Sequence, residues 1–313
     1  MPIDIDGVLE CWGIAPARVR LDIPIPGSPE RSLGRNVIED GAGRLWLLER
    51  LDPRAAARKQ EIAAAVAFIG TRMAEAKPYL AYEPGRFVLE REDFAWQVSP
   101  YVSGLALDRP GFAFEAWRGG VLAGLAARLR EAVKDMPHAA SGQVLSLDRF
   151  IGDLTEKVRL REPALFVRLG PAVGTLREKL FPCLAALPKA FCHGDFHPLN
   201  MIWSGTGVEA LIDWEFCGPR PEMYDAALLV GCLGMEDPRA LEGGLVRELV
   251  SGLRARAGYA AESWRVFPEL VLALRFAWLS DWLRRGDAEM VDLETVFIGL
   301  LCGGRAALER AWA

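Results

Sequence analysis

The sequence predicts an α+β protein in two parts: a small antiparallel β-sheet with one helix, followed by a larger and mainly helical region. Three observations lead there. The first hundred residues hold short apolar runs of strand-like alternation, separated by Gly, Pro and Asp. From Phe114 onward the apolar residues recur at helical spacing. Between residues 190 and 215 that pattern gives way to a polar loop and a hairpin.

In chain order, Arg18 to Ile25 alternates like a strand, and Pro26 to Pro29 breaks it. Asn36 to Ile38 and Arg44 to Leu48 flank Glu39 to Gly43, which is a hairpin signal. Pro53 to Gly70, with Ile62, Val66 and Ile69 at helical spacing, reads as an amphipathic helix. Arg86 to Glu90 and Phe94 to Val98 form a further pair of strands, and the Ala/Leu-rich run from Arg118 to Val133 is a scaffold helix. Met201 to Trp203 and Val208 to Ile212 are β-prone runs around Ser204 to Gly207, a short hairpin. No internal repeat or low-complexity tract is present.

Composition bounds the function. With 313 residues and 51% hydrophobic content, the chain can bury a substantial core without staples. Its six cysteines are scattered, with no C-x-x-C pair and no histidine cluster, so neither a zinc site nor a disulfide framework is signalled and a reducing cytoplasm is expected. The acidic start, Met1 to Asp6, and the lack of a long apolar run speak against export or a membrane partner. A net charge of −5 speaks against general nucleic-acid binding, because a phosphate backbone demands a basic face. A small-molecule partner fits better. A monomer or weak homodimer is expected.

The chemistry concentrates in Phe191-Cys-His-Gly-Asp-Phe-His-Pro-Leu-Asn200 and Leu211-Ile-Asp-Trp-Glu215. Phosphoryl transfer to an alcohol needs one carboxylate that orients the hydroxyl and accepts its proton. It also needs oxygen ligands that hold Mg²⁺ against the nucleotide phosphates. Asp195 and Asn200 stand five positions apart in a Gly/Pro-containing loop, so one can face the substrate and the other the metal. The hairpin returns the chain and delivers Asp213 beside Asn200 as a second metal ligand. A loop aspartate can also simply cap the next segment; for Asp195 the company of Asn200 and Asp213 favours catalysis.

His193-Gly-Asp-Phe-His-Pro-Leu-Asn200, Ile212-Asp-Trp-Glu215 and Met223-Tyr-Asp-Ala-Ala227 resemble the aminoglycoside phosphotransferase and choline kinase superfamily, whose members share the protein-kinase-like bilobal fold. The resemblance implies a nucleotide-binding lobe over 1–98, a hinge over 99–104 and a helical lobe with catalytic loop and acceptor site over 105–313. It implies ATP, with GTP also possible, and Mg²⁺ as cofactors. Asp195 would be the catalytic base, and Asn200 and Asp213 the metal ligands. The adenine would meet the hinge at Ser99 and Tyr101, and the phosphates would lie near Gly34 and Asn36. His193 and His197 would brace the loop. Asp225 would cap the following helix or brace the loop, outside the chemistry.

The small lobe departs from the superfamily pattern. Counting back from Glu61, the strand lysine that usually holds the phosphates falls at Glu49, where an acid would repel them. Arg50 is adjacent and Lys59 lies on the helix, so either could supply the charge. The acceptor signal is weaker still. Glu215 could be a metal neighbour, a substrate contact or a solvated carboxylate. Trp278 and Trp282, four apart with Asp281 on a late helix, would either embrace an amine or sugar ring or pack into the core. The expected activity is therefore a small-molecule kinase acting on a sugar or amino alcohol. An aminoglycoside phosphotransferase and an inactive kinase-like binding protein are the alternatives.

Overall fold

The computed structural model describes residues 4–14, 17–25, 32–136 and 146–312. Along the chain the elements run α1 (Ile5–Glu10), β1 (Ala17–Val19), β2 (Gly34–Asp40), β3 (Leu45–Leu51), α2 (Ala56–Gly70), β4 (Val88–Arg91), β5 (Phe94–Pro100), α3 (Ala116–Ala132), α4 (Leu147–Arg161), α5 (Pro163–Lys179) and α6 (Phe181–Leu184). They continue with β6 (Lys189–Cys192), β7 (Met201–Trp203), β8 (Val208–Leu211), β9 (Gly218–Pro221), α7 (Tyr224–Glu236), α8 (Gly244–Arg256), α9 (Ala261–Arg265), α10 (Phe267–Arg285), α11 (Ala288–Gly303) and α12 (Arg305–Ala311). Two compact units result. The first takes the described residues of 1–106, 135–140 and 199–216, and the second those of 107–134, 141–198 and 217–313.

In the first unit an antiparallel sheet has the order β1-β2-β3-β5-β4. Asp40 closes the β2–β3 hairpin. Its carboxylate accepts the N–H groups of Ala42 and Arg44, each at 2.9 Å, and the indole N–H of Trp46 at 3.0 Å. The Trp46 bond leads in holding that carboxyl down at about 2. Strand alternation divides the sheet into two faces. On one, Ile38, Leu48, Trp96 and Val98 pack against Val8, Leu9, Trp12 and Ile14. Those last residues belong to α1 and the turn after it, a helix the sequence pattern does not predict because six residues hold too little periodicity. On the other face Leu51, Val88 and Ala95 receive Ala56 of α2. The strand expected over Arg18 to Ile25 is only β1. Arg20 pairs with both Asp22 and Glu39 at 2.6 Å, and the chain turns at Leu21. The break at Pro26 to Pro29 lies outside the described residues.

The β7–β8 hairpin completes this unit. Leu211 donates to the carbonyl of Glu75, and Leu105 to that of Trp203, both at 2.8 Å. Gly104 permits this approach, because a Cβ there would lie 2.4 Å from Ile202 Cγ2 and 2.8 Å from the Trp203 carbonyl oxygen.

The second unit is helical around α7 and α10, with β6 and β9 as a short antiparallel pair. Helices α3 and α8 approach closely at Gly119, where a Cβ would meet the Leu245 carbonyl at 2.1 Å. A buried ion pair joins α10 to α11: the Arg275 guanidinium donates to both Glu294 oxygens at 2.7 and 2.6 Å. A charge at such depth persists only when paired in this way.

Substituting Gly104→Ala should cost about 1–3 kcal/mol, because the new methyl group forces the β7–β8 hairpin to shift. A lowered urea midpoint with an unchanged m-value checks this. A wild-type midpoint would mean that the contact relaxes freely.

Candidate active site

In the second unit β6 ends at Cys192 and runs into the loop that carries Asp195. Gly194 turns that loop at φ +84°, a conformation that favours glycine. The loop is held from below by Asp225 in the first turn of α7. One carboxylate oxygen accepts the His193 N–H at 2.7 Å, and the other accepts the Gly194 N–H at 2.9 Å. Burial pushes the Asp225 carboxyl up to about 6, against the pull of these two N–H groups. Asp225 is thus a brace for the loop, while Met223 occupies the position before the helix. Asp195 donates its own N–H to His193 Nδ1 at 3.2 Å, and His197 Nε2 lies 3.5 Å from Asp195 Oδ1. The other edge of this arrangement is Trp278, whose ring meets that of His197 at 6.2 Å in a T-shape. On this loop His193 thus receives the Asp195 backbone N–H, while His197 stands beside the carboxylate.

In the first unit the β7–β8 hairpin brings the backbones of Asn200 and Ile212 together. Ile212 donates its N–H to the Asn200 carbonyl at 2.9 Å, which sets the residue before Asp213 directly across from Asn200. Asn200 is buried, and Asp213 adopts a left-handed backbone at φ +61°. Among the described residues only Glu92 shares that departure without being glycine. A non-glycine residue there carries a local cost that neighbouring contacts must offset. The two donors are hard oxygens. Among the described residues no cluster of three His, Cys, Asp or Glu could cage a metal alone. Hard oxygens are the donor type that suits Mg²⁺, which is commonly held by one or two protein oxygens with phosphates and water completing its shell.

On β3, Glu49 faces Arg35 of β2 and Gln97 of β5, and its carboxylate accepts from the Gln97 amide at 2.6 Å. Arg50 points to the opposite side of the strand, over the Phe94 ring at 4.8 Å, and donates to the Leu33 carbonyl beside Gly34 at 3.0 Å. Asn36 stands opposite Leu48, and Ser99 opposite Leu47. Tyr101 donates its hydroxyl to the Pro24 carbonyl at 2.8 Å and its N–H to that of Leu45 at 3.0 Å. Glu215 is paired with Lys59 at 2.6 Å. In the second unit Trp278 and Trp282 stack at 6.3 Å, both half-buried. Asp281 is bound by Arg284 at 2.6 Å and Arg285 at 2.7 Å; burial raises its carboxyl, but these cations outweigh burial and leave it below the usual range.

A family model described as the phosphotransferase enzyme family matches residues 37–261. The chain belongs to that family, and its class is that of a phosphotransferase. No curated protein matches the sequence. Among solved structures, a microcompartment-associated aminopropanol kinase is similar with a TM-score of 0.70 at 17% identity, covering 98% of this chain and 99% of that one. An amicoumacin kinase in complex with AMP-PNP, Ca²⁺ and Ami is similar with a TM-score of 0.64 at 12% identity, covering 96% and 94%. The GDP complex of aminoglycoside 2'-phosphotransferase-IIIa is similar with a TM-score of 0.62 at 17% identity, covering 93% and 94%. These likenesses show the protein-kinase-like bilobal fold, a mixed α+β architecture with an antiparallel sheet in its smaller lobe.

The elevated Asp225 carboxyl has a signed consequence for stability. Between an unfolded value near 4 and the folded value of about 6, the native state holds a proton that the unfolded chain has released, so stability falls as pH rises. Relative to Asp225→Asn, wild type should lose about 2–3 kcal/mol between pH 4 and 6 and stay level above that window. Urea unfolding of both proteins across that range checks it. A pH-independent difference would mean that Asp225 titrates normally.

Proposed function

We propose that this protein transfers the terminal phosphoryl group of a nucleoside triphosphate to a hydroxyl of a small sugar or amino alcohol. The observation that supports the reading is the backbone bond from the Ile212 N–H to the Asn200 carbonyl, which places the residue before Asp213 across from Asn200, both of which offer hard oxygens. When bound there, Mg²⁺ would neutralise charge on the nucleotide phosphates. The chain's own residues do the rest. Asp195, its backbone held by His193 and its carboxylate beside His197, positions the acceptor hydroxyl and takes its proton as the oxygen attacks phosphorus in line. Ser99 and Tyr101, at the end of β5, offer backbone groups to the base. Gly34 and Asn36 open the strand that covers the phosphates, and Arg50 steadies that bend through Leu33.

The amino-alcohol or sugar acceptor is favoured over a polycationic aminoglycoside by the state of the late acids. Asp281 is neutralised by Arg284 and Arg285, Glu294 by Arg275, and Asp292 pairs with Arg168 at 2.7 Å. A site for several ammonium groups would present such carboxylates to the ligand. A binding protein without transfer would have no use for Asp195 and its two histidine supports.

Calorimetric titration with ATP and with GTP, each with and without Mg²⁺, tests the nucleotide site. Binding should depend on Mg²⁺ and be lost in Asp213→Ala; metal-independent binding by that variant would remove Asp213 from the site. Turnover of a panel of sugars and amino alcohols tests the base. Asp195→Ala should lose about 100-fold or more in kcat while nucleotide affinity stays within about threefold. Surviving turnover would show that Asp195 is not the base.

A further inference from the structure

Helix α2 carries a charge where its packing calls for none. Its buried stripe is Ala56, Lys59, Ile62, Ala63, Val66 and Ile69, in which Lys59 is the one ionisable member. At 9% exposure an ammonium group has lost most of its hydration, which is costly unless a partner compensates. The partner is Glu215, with Nζ and Oε2 2.6 Å apart. Arg58 adds a second tie from the same turn, donating to the Glu215 carbonyl at 3.4 Å. Glu215 stands two residues beyond Asp213, so the two Cα atoms are at most about 7 Å apart. Lys59 is thus clamped beside the strained turn that presents the metal ligand.

The strand side of this region is reversed in sign. Where a phosphate-binding lysine would stand on β3 there is Glu49, whose carboxylate is taken up by Gln97. Glu49 lies on the same sheet face as Leu51 and Ala95, the residues against which Ala56 of α2 packs. Lys59 sits one helical turn from Ala56 on the same stripe. One face therefore holds an acid on the strand and a cation on the helix.

We propose that Lys59 is the cation that holds the nucleotide phosphates in this protein, supplied from helix α2 instead of strand β3, with Glu215 as the carboxylate that aligns it. The proposal rests on the nucleotide-dependent reading above. Attraction between an ammonium and a phosphate depends on distance and surroundings, not on which element carries the nitrogen. A cation shielded from water and fixed by one carboxylate keeps two donor directions for phosphate oxygens. A purely structural Lys59 would tie α2 to the turn after Asp213 and affect stability only.

The test separates these roles by the increment that the phosphates add to binding. Full-length wild type, Lys59→Met, Lys59→Gln and Lys59→Arg are titrated with adenosine, ADP and Mg²⁺-ATP, or with the guanosine series where wild type prefers it. Lys59→Met should lose tenfold or more in affinity for the triphosphate while its nucleoside affinity stays within twofold. Lys59→Gln keeps a neutral, slightly shorter donor toward Glu215 and removes the charge, so it should show the same loss even if the methionine variant fails to fold. Lys59→Arg should recover most of the increment. A folded Lys59→Met or Lys59→Gln with the wild-type ratio of triphosphate to nucleoside affinity overturns the proposal alone, whatever its melting temperature. Wild type that binds no nucleotide overturns both the proposal and the reading beneath it.

Discussion

The two hydrogen bonds from the His193 and Gly194 N–H groups to Asp225 fasten the loop that carries Asp195 to the first turn of α7. Asp225 belongs to α7, where Ala226, Ala227, Leu229 and Val230 are packed into the core. The carboxylate cannot move without disturbing that packing, so the loop inherits the precision of the core through two short bonds. The arrangement is also costly, since a buried carboxylate without donors would favour the neutral form. Two backbone N–H groups and the start of a helix, with its positive end, offset the cost. Removing them would leave an isolated acid inside the protein, and this mutual need keeps loop and helix together.

The same logic explains what could be read from residue order and what could not. Asp195, Asn200 and Asp213 stand out because loop glycine and proline surround them and a β-prone hairpin links the last two. The strand pairs β2–β3 and β4–β5 are legible because each closes locally, through Asp40 in one case and a turn at Glu92 in the other. The pairing of β6 with β9 is not, because Phe191 meets Pro219 across a long intervening stretch and neither strand is long enough to show alternation. Helix α1 is missed for the same reason of length. Asp225 could be taken for a helix cap or a loop brace, and only its two donors decide between them.

Strand parity governs the search for the missing cation. Glu49 and Arg50 are neighbours in sequence, yet the pleat sends one toward Gln97 and the other toward Phe94. Looking one residue along the strand for a substitute therefore means looking on the wrong side of the sheet. Projecting α2 at helical spacing places Lys59 in line with Ala56, Ile62 and Val66, a signal that residue order alone carries. What the pattern could not show is Glu215, which is distant in sequence and makes the burial of that ammonium tolerable.

Among the described residues, several deep charges are answered by an ion-pair partner. In the second unit the buried carboxylates of Glu222, Glu269 and Glu294 are paired with Arg130, Arg305 and Arg275 from distant parts of the chain, while the partly exposed Asp281 has Arg284 and Arg285 within one helical turn. Such pairs occupy these carboxylates with arginine. In the first unit the Lys59–Glu215 pairing is long-range, and it leaves an ammonium close to the left-handed turn at Asp213. A protein kinase-like lobe needs a cation near its phosphates, not a lysine on a given strand. Once a helix supplies it, an acid at Glu49 ceases to be a defect. Its carboxylate is satisfied by Gln97, and the reversed polarity of strand and helix is then compatible with a working phosphoryl-transfer site.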